Sequence, residues 1–223
     1  MISIELKKRI ITSIALLTCL ALMYFYFFIL IIFLILISLI SWIEFNGLIL
    51  KIFKKRNLKE KLYKFILKSI SLLYLSLFCF IIVIVRSENL ESEVFIIYSL
   101  FVSINSDIGG LLFGKVFKGR KLTKISPNKT ISGSIGSFIF SFFPLFFFLI
   151  IDNSYLELNF NNILFFFLIS LISQLGDLFV SFFKRKAKIK DTGKILPGHG
   201  GILDRVDGII FAIPFSYFLL GLI

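Results

Sequence analysis

Two cysteines, one histidine, one tryptophan and four prolines in 223 residues leave little material for several common designs. Cys19 and Cys79 both lie in apolar stretches, where cysteine behaves as a small hydrophobe rather than as a staple or metal ligand. Acidic residues are also scarce, 13 against 25 Lys and Arg, for a net charge of +12. No basic stretch belongs to a nucleic-acid reading motif, and the lysines sit beside apolar runs, so no nucleic-acid partner is expected. Missing too is any polar block long enough to fold alone, because apolar stretches recur from residue 10 to residue 223. No small-residue cleavage pattern follows Lys7, Lys8 and Arg9, so the first apolar segment is expected to stay in the mature protein. No internal repeat is evident.

Apolar residues are what the chain has in excess: 58% are hydrophobic, 30 of them Phe, and the mean hydropathy is +0.98. An all-α integral membrane protein with a single membrane domain follows. A spanning helix needs about 20 apolar residues, and that length divides the sequence into about seven spans, near 10–24, 26–43, 66–85, 94–113, 134–151, 163–183 and 208–223. The stretch 10–43 would measure roughly 51 Å as one helix, too long for a bilayer, so a tight pair joined near Tyr24 and Tyr26 is expected.

Charge sets the orientation. With the N-terminus in the cytoplasm, the inner segments (7–9, 51–68, 115–129 and 184–205) collect 24 of the 25 Lys and Arg. Arg86 alone falls outside, among Glu88, Glu91, Glu93, Asp152 and Glu157. The expected setting is therefore a multi-pass protein of the cell (inner) membrane with its polar machinery facing the cytoplasm. The 51–68 run is expected to be a linker facing anionic lipid headgroups.

Carboxylates inside spans are costly unless paired, hydrated or bound to a cation. Asp107 lies in the fourth expected span, in the run Asn105-Ser106-Asp107 before Gly109 and Gly110, a run expected to break the helix. Asp177 lies in the sixth, after Ser173, Gln174 and Gly176. Both would sit at a depth of about 9 Å, which invites a shared cation; the other possibility is that each pairs with a nearby lysine or helix end.

The segment from Ser181 to Asp207 sets Lys184, Arg185, Asp191, His199, Asp204 and Arg205 among glycines and Pro197. Glycines let backbone amides approach a phosphate, basic side chains neutralise it, and carboxylates hold a divalent ion that bridges its oxygens. Asp204 and Asp207, three apart, would share a helical face. His199 is open to a structural role or to one as ligand or base. The stretch from Gly114 to Gly133, with Lys115, Lys121, Ser126, Pro127, Lys129 and Thr130, suits phosphate binding or a plain positive-inside loop.

Together these residues resemble the signature of the phosphatidate cytidylyltransferases. Ser181, Lys184, Arg185, Lys190, Asp191, Pro197, His199, Gly200, Gly201, Asp204, Arg205 and Asp207 stand at the family's spacing, with Gln174, Gly176 and Asp177 just upstream and the run Ser126 to Gly133 in an earlier loop. The likeness covers roughly residues 103 to 223. The chain departs from the pattern at Leu111, Ile131 and Ser132, and it is trimmed by a pair of spans between residues 44 and 66.

The resemblance implies transfer of a cytidylyl group from CTP to phosphatidate, giving CDP-diacylglycerol and pyrophosphate with Mg²⁺, a second cation being left open. It makes Asp177 and Asp204 the foremost metal-ligand candidates, with Asp207 and Asp107 beside them. Lys184, Arg185, Asp191, His199 and Arg205 become catalytic candidates; Ser126, Lys129, Thr130, Ser181, Gly200 and Gly201 become substrate-binding ones. A homodimer is a family-level expectation. The nucleophile is already a phosphate dianion, so no general base is needed, which suits a chain with one histidine. A different class, a cation-coupled transporter, would also place carboxylates in the membrane, but the outer halves of the spans are almost purely apolar. A CDP-alcohol phosphotransferase would continue past Gly208 with Ala-Arg and a further Gly and two Asp, which are absent here.

Overall fold

The computed structural model describes residues 4–55, 57–87, 90–123, 125–151 and 157–220. Arg56, Glu88, Lys124 and Asp152, which the charge pattern includes, and the last three residues of the final expected span lie outside them. Among the described residues the chain is helical, with no strand beyond two isolated bridges, Lys121 with Thr130 and Leu196 with Gly200. Hydrocarbon offers the backbone no hydrogen-bond partner, and a helix satisfies its own.

The elements are α1 (Ile4–Phe25), α2 (Phe27–Ile52), α3 (Leu58–Ser87), α4 (Leu90–Phe117), α5 (Ile131–Ser141), α6 (Phe143–Ile151), α7 (Phe160–Lys186), α8 (Leu203–Val206) and α9 (Ile209–Leu220). Among the described residues, five stretches are long and apolar enough to cross a membrane: α2, α3, Glu93–Phe117 of α4, Ile131–Ile150 spanning α5 and α6, and α7. Ile10–Phe25 of α1 is a shorter apolar helix. The expected pair over 10–43 is present, with extended backbone at Tyr26 between α1 and α2.

Two expectations need correction. The run Asn105 to Gly110 does not break α4, which is continuous from Leu90 to Phe117. Its glycines serve a different purpose: a Cβ at Gly109 would meet the Gly136 carbonyl oxygen and the Phe140 side chain, and one at Gly110 the Ser137 hydroxyl. Helices α4 and α5 thus approach backbone to backbone, the small-residue packing of membrane helices. Second, Asp207 does not extend the helix of Asp204, because α8 ends at Val206. The segment 131–151 is interrupted at Phe142, where Pro144 lacks an amide for the carbonyl four residues back and its ring crowds that carbonyl.

The chain falls into two compact units. The first comprises residues 1–79 and 183–206, the second residues 80–182 and 207–223. In the first, α2 buries Leu30, Leu34, Ser38, Ser41, Phe45, Leu48 and Ile49 at helical spacing. Its contacts with α3 include a Trp42 indole N–H donated to the Lys68 carbonyl at 3.1 Å and Ser38 Oγ beside Cys79 Sγ at 2.9 Å. The second is built on Phe95, Tyr98 and Val102 of α4, Leu145 of α6, Phe165, Phe166 and Ile169 of α7, and Ala212 and Leu219 of α9.

Candidate active site

In the first unit, α7 ends where Lys188 takes a left-handed conformation (φ 57°) and the Ile189 amide returns to the Lys184 carbonyl at 3.0 Å, a stop usually made by glycine. The chain then runs through a loop to α8. A turn reverses it at Leu196–His199, where Pro197 precedes Gly198 at φ 79° and the His199 amide donates to the Leu196 carbonyl at 3.0 Å. Positive φ at the third position of a turn is the province of glycine.

Asp204 organises this loop. Its Oδ1 accepts from the Lys184 ammonium at 2.7 Å. Its Oδ2 accepts from the Thr192 amide at 2.8 Å, the Thr192 hydroxyl at 2.9 Å and the Gly201 amide at 3.1 Å. The side chains of Lys184 and Asp204 are 12% and 6% exposed. Burial alone would raise the Asp204 carboxyl, but the bonds from Lys184 and the amides of Thr192 and Gly201, with the Lys184 charge, outweigh it and hold the group below its ordinary value.

The other loop candidates fall around this carboxylate. A Cβ at Gly200 would lie 3.1 Å from Asp204 Oδ2 and 3.4 Å from Asp191 Cβ. The Gly200 amide bonds the Leu196 carbonyl and the Gly201 amide bonds Asp204, so both donors serve the loop itself. Arg205 spans the turn, donating from Nε and Nη2 to the His199 carbonyl at 3.1 and 2.8 Å. His199 Nδ1 lies 2.6 Å from the Thr12 hydroxyl of α1. Asp191 and Arg185 are exposed.

One residue that the sequence did not single out is central here. Glu44 of α2 is 6% exposed and reaches the same loop, accepting from the Thr192 hydroxyl at 2.8 Å and the amides of Ile202 and Leu203 at 3.2 and 2.9 Å. A lone carboxylate beside an apolar run was the available signal.

The second unit carries its own polar cluster. Pro127 sits in a turn closed by the Lys129 amide on the Ser126 carbonyl at 3.0 Å, and the flanking chain is paired through Leu122 N–H to the Lys129 carbonyl at 2.8 Å. This turn sends the Lys129 ammonium onto the Asp177 carboxylate of α7, both side chains about a quarter exposed. Asp177 Oδ1 is also 3.3 Å from the Ser181 hydroxyl. Thr130 caps α5, its hydroxyl accepting from the Gly133 amide at 3.0 Å. Gln174 links α5 to α7 by accepting from the Ser134 hydroxyl at 2.6 Å. Asp207 is buried, with Oδ1 accepting from the Gly208 amide at 3.0 Å. Asp107 is exposed on α4.

The donor set bears on a cation. Among the described residues, no three Asp, Glu, His or Cys side chains gather closely enough to hold a metal. Asp177 and Asp204 each hold a lysine ammonium against one oxygen, a positive charge where a cation would sit. Asp204 Oδ2 is taken by three loop donors and its Oδ1 by the Lys184 ammonium, so a cation at Asp204 would have to take the place of that ammonium. A divalent ion at either carboxylate would need most of its shell from phosphate oxygens and water, the usual habit of Mg²⁺.

A model of the cytidylyltransferase family matches residues 3–223. The chain belongs to that family. Relatives within it include a phosphatidate cytidylyltransferase of Rickettsia bellii, 46% identical over 129 residues, covering 52% of this chain and 53% of the relative. The Staphylococcus aureus enzyme of that name is 44% identical over 140 residues, 60% of this chain and 51% of its own. That of Bacillus subtilis is 39% identical over 139 residues, 62% and 51%. The aligned part thus spans about half the length of these relatives.

Proposed function

We propose that this protein transfers the cytidylyl group of CTP to phosphatidate, forming CDP-diacylglycerol and releasing pyrophosphate. What carries the proposal is the set of lysine–carboxylate pairs at positions that resemble the family's signature, Lys184 with Asp204 and Lys129 with Asp177, in a chain that belongs to the family. A phosphatidate oxygen attacks the α-phosphorus of CTP, the bond from that phosphorus to the bridging oxygen breaks, and pyrophosphate leaves with the electron pair. The nucleophile is anionic at neutral pH, so the protein's task is to gather and orient negative charge rather than to remove a proton.

Lys184, Arg185 and Arg205 neutralise phosphates in the first unit and Lys129 does so in the second, where Ser126 and Ser181 add hydroxyls. The loop amides and glycines at 200 and 201 shape the backbone, and Asp191 and His199 orient the loop around Pro197. Asp204 in the first unit, and Asp177, Asp207 and Asp107 in the second, are each proposed as candidate Mg²⁺ ligands; bound Mg²⁺ would neutralise charge on the phosphates.

The proposed setting is the inner membrane, with about seven spans, the N-terminus in the cytoplasm and the loops 115–129 and 184–205 facing that side, where CTP is dissolved and phosphatidate lies in the leaflet. The test is incubation of the purified protein in phosphatidate-containing vesicles with CTP and Mg²⁺, followed by lipid extraction. CDP-diacylglycerol in the lipid phase supports the proposal; Na⁺ or K⁺ flux across the vesicles without that product would overturn it in favour of cation-coupled transport.

A further inference from the structure

Glu44 is the only acidic residue of α2 and it is buried. A buried carboxylate must be matched by donors, and Glu44 finds its donors in a segment more than 140 positions away: the Thr192 hydroxyl, the Ile202 amide and the Leu203 amide. The fit is close. A Cβ at Gly193 or at Gly201 would run into the Glu44 carboxylate, so the loop is shaped around this side chain.

Thr192 makes the arrangement more than a tether. Its hydroxyl lies 2.8 Å from Glu44 Oε2 and 2.9 Å from Asp204 Oδ2. A hydroxyl has one hydrogen to donate, so two carboxylates compete for it. Asp204 in turn holds Lys184. The state of Glu44 therefore reaches the Lys184 ammonium through one hydroxyl and one carboxylate.

We propose that Glu44 is a positioning residue for cytidylyl transfer, acting through Thr192 to fix Asp204 and Lys184 in the loop that handles phosphate. The inference rests on the proposed function. Neutralising Glu44 turns the Thr192 hydrogen toward Asp204 and releases the Ile202 and Leu203 amides, shifting the loop by fractions of an ångström. Misplacement on that scale is costly in a reaction that depends on alignment.

The full chain, purified in phosphatidate-containing vesicles, is compared as wild type, Glu44→Gln, Thr192→Val and the double variant, with Glu60→Gln in the first turn of α3 as a control. Per folded molecule, kcat/KM for CTP falls about tenfold or more in each single variant, and the double is no worse than the weaker single within about twofold, because both act along one route. Glu60→Gln stays within about twofold of wild type. Amide exchange rises at Ile202 and Leu203 in Glu44→Gln. Wild-type kcat/KM in Glu44→Gln, or losses that multiply in the double variant, would overturn the proposal. Should Glu44→Gln fail to fold, Thr192→Val decides by itself, since normal kcat/KM there removes the route. Should the wild type make no CDP-diacylglycerol, the proposed function fails, and exchange at Ile202 and Leu203 still decides separately whether Glu44 holds the loop.

Discussion

The ammonium of Lys129 rests on the carboxylate of Asp177, tying the Pro127 turn to α7 within the second unit. Two residues whose roles the sequence could only treat one at a time form a single charged pair. With both side chains about a quarter exposed, the pair adds modestly to stability, about 1 kcal/mol or less. Under the proposed function its larger consequence is chemical, because it would keep a cation and a carboxylate together where phosphate binds.

Asp177→Asn is therefore expected to lower cytidylyl transfer by about a hundredfold or more while the melting temperature moves little. Lys129→Met should weaken CTP or phosphatidate binding, raising KM, whereas Lys54→Met in the basic linker should not. Steady-state kinetics beside thermal melts check both. Near-normal turnover in Asp177→Asn, or unfolding of that variant without Mg²⁺, would reduce the pair to a structural ion bridge.

Asp204 gives a pH prediction. Its folded carboxyl is held below its ordinary value of 3.8, so its contribution to stability is fully present above that value. It is lost as pH falls through the lower folded value. Asp204→Asn, which strands the buried Lys184 ammonium, should cost about 3 kcal/mol at neutral pH. The gap between variant and wild type should stay level from about pH 7 to pH 5 and close below about pH 4. Chemical unfolding at stepped pH measures it, and a gap that closes near neutrality would contradict the assignment.

The helical class, the break at Tyr26 and the gathering of polar residues into two loops were legible in the sequence, because apolar run length and charge placement are local properties. Contacts that join distant segments were not. Gly109 and Gly110 read as breakers because sequence does not show that Gly136 and Ser137 lie against them. Glu44 escaped notice for a related reason: the expected second span stopped at residue 43, although α2 continues to Ile52. The rule that flagged Asp107 and Asp177, that a carboxylate inside a span is costly without a partner, applies equally to Glu44. Its partners, Thr192, Ile202 and Leu203, only the fold could supply.

Glycines divide sharply by surroundings. Gly201→Ala would press a methyl group into Thr192 Oγ1 and the Glu44 carboxylate, and is expected to cost about 1–3 kcal/mol together with most of the activity. Gly47→Ala in α2 meets nothing within 4 Å and should stabilise by about 1 kcal/mol through helix propensity. Melting curves of the two variants check the contrast; equal losses would contradict it.

Topology can be read by labelling. In a variant lacking Cys19 and Cys79, single cysteines placed at exposed Lys118 and Lys194 should react with an impermeant maleimide only after the inner face is opened. Reaction in intact cells would reverse the proposed orientation.

The most direct test of cytidylyl transfer follows two labels of CTP through one reaction with phosphatidate and Mg²⁺ in vesicles. Phosphorus label in the α position should appear in an extractable CDP-lipid, and label in the γ position in pyrophosphate in the aqueous phase, in equal amounts and only when phosphatidate is present. Both labels remaining in the aqueous phase, or γ label released as inorganic phosphate without lipid product, would contradict it.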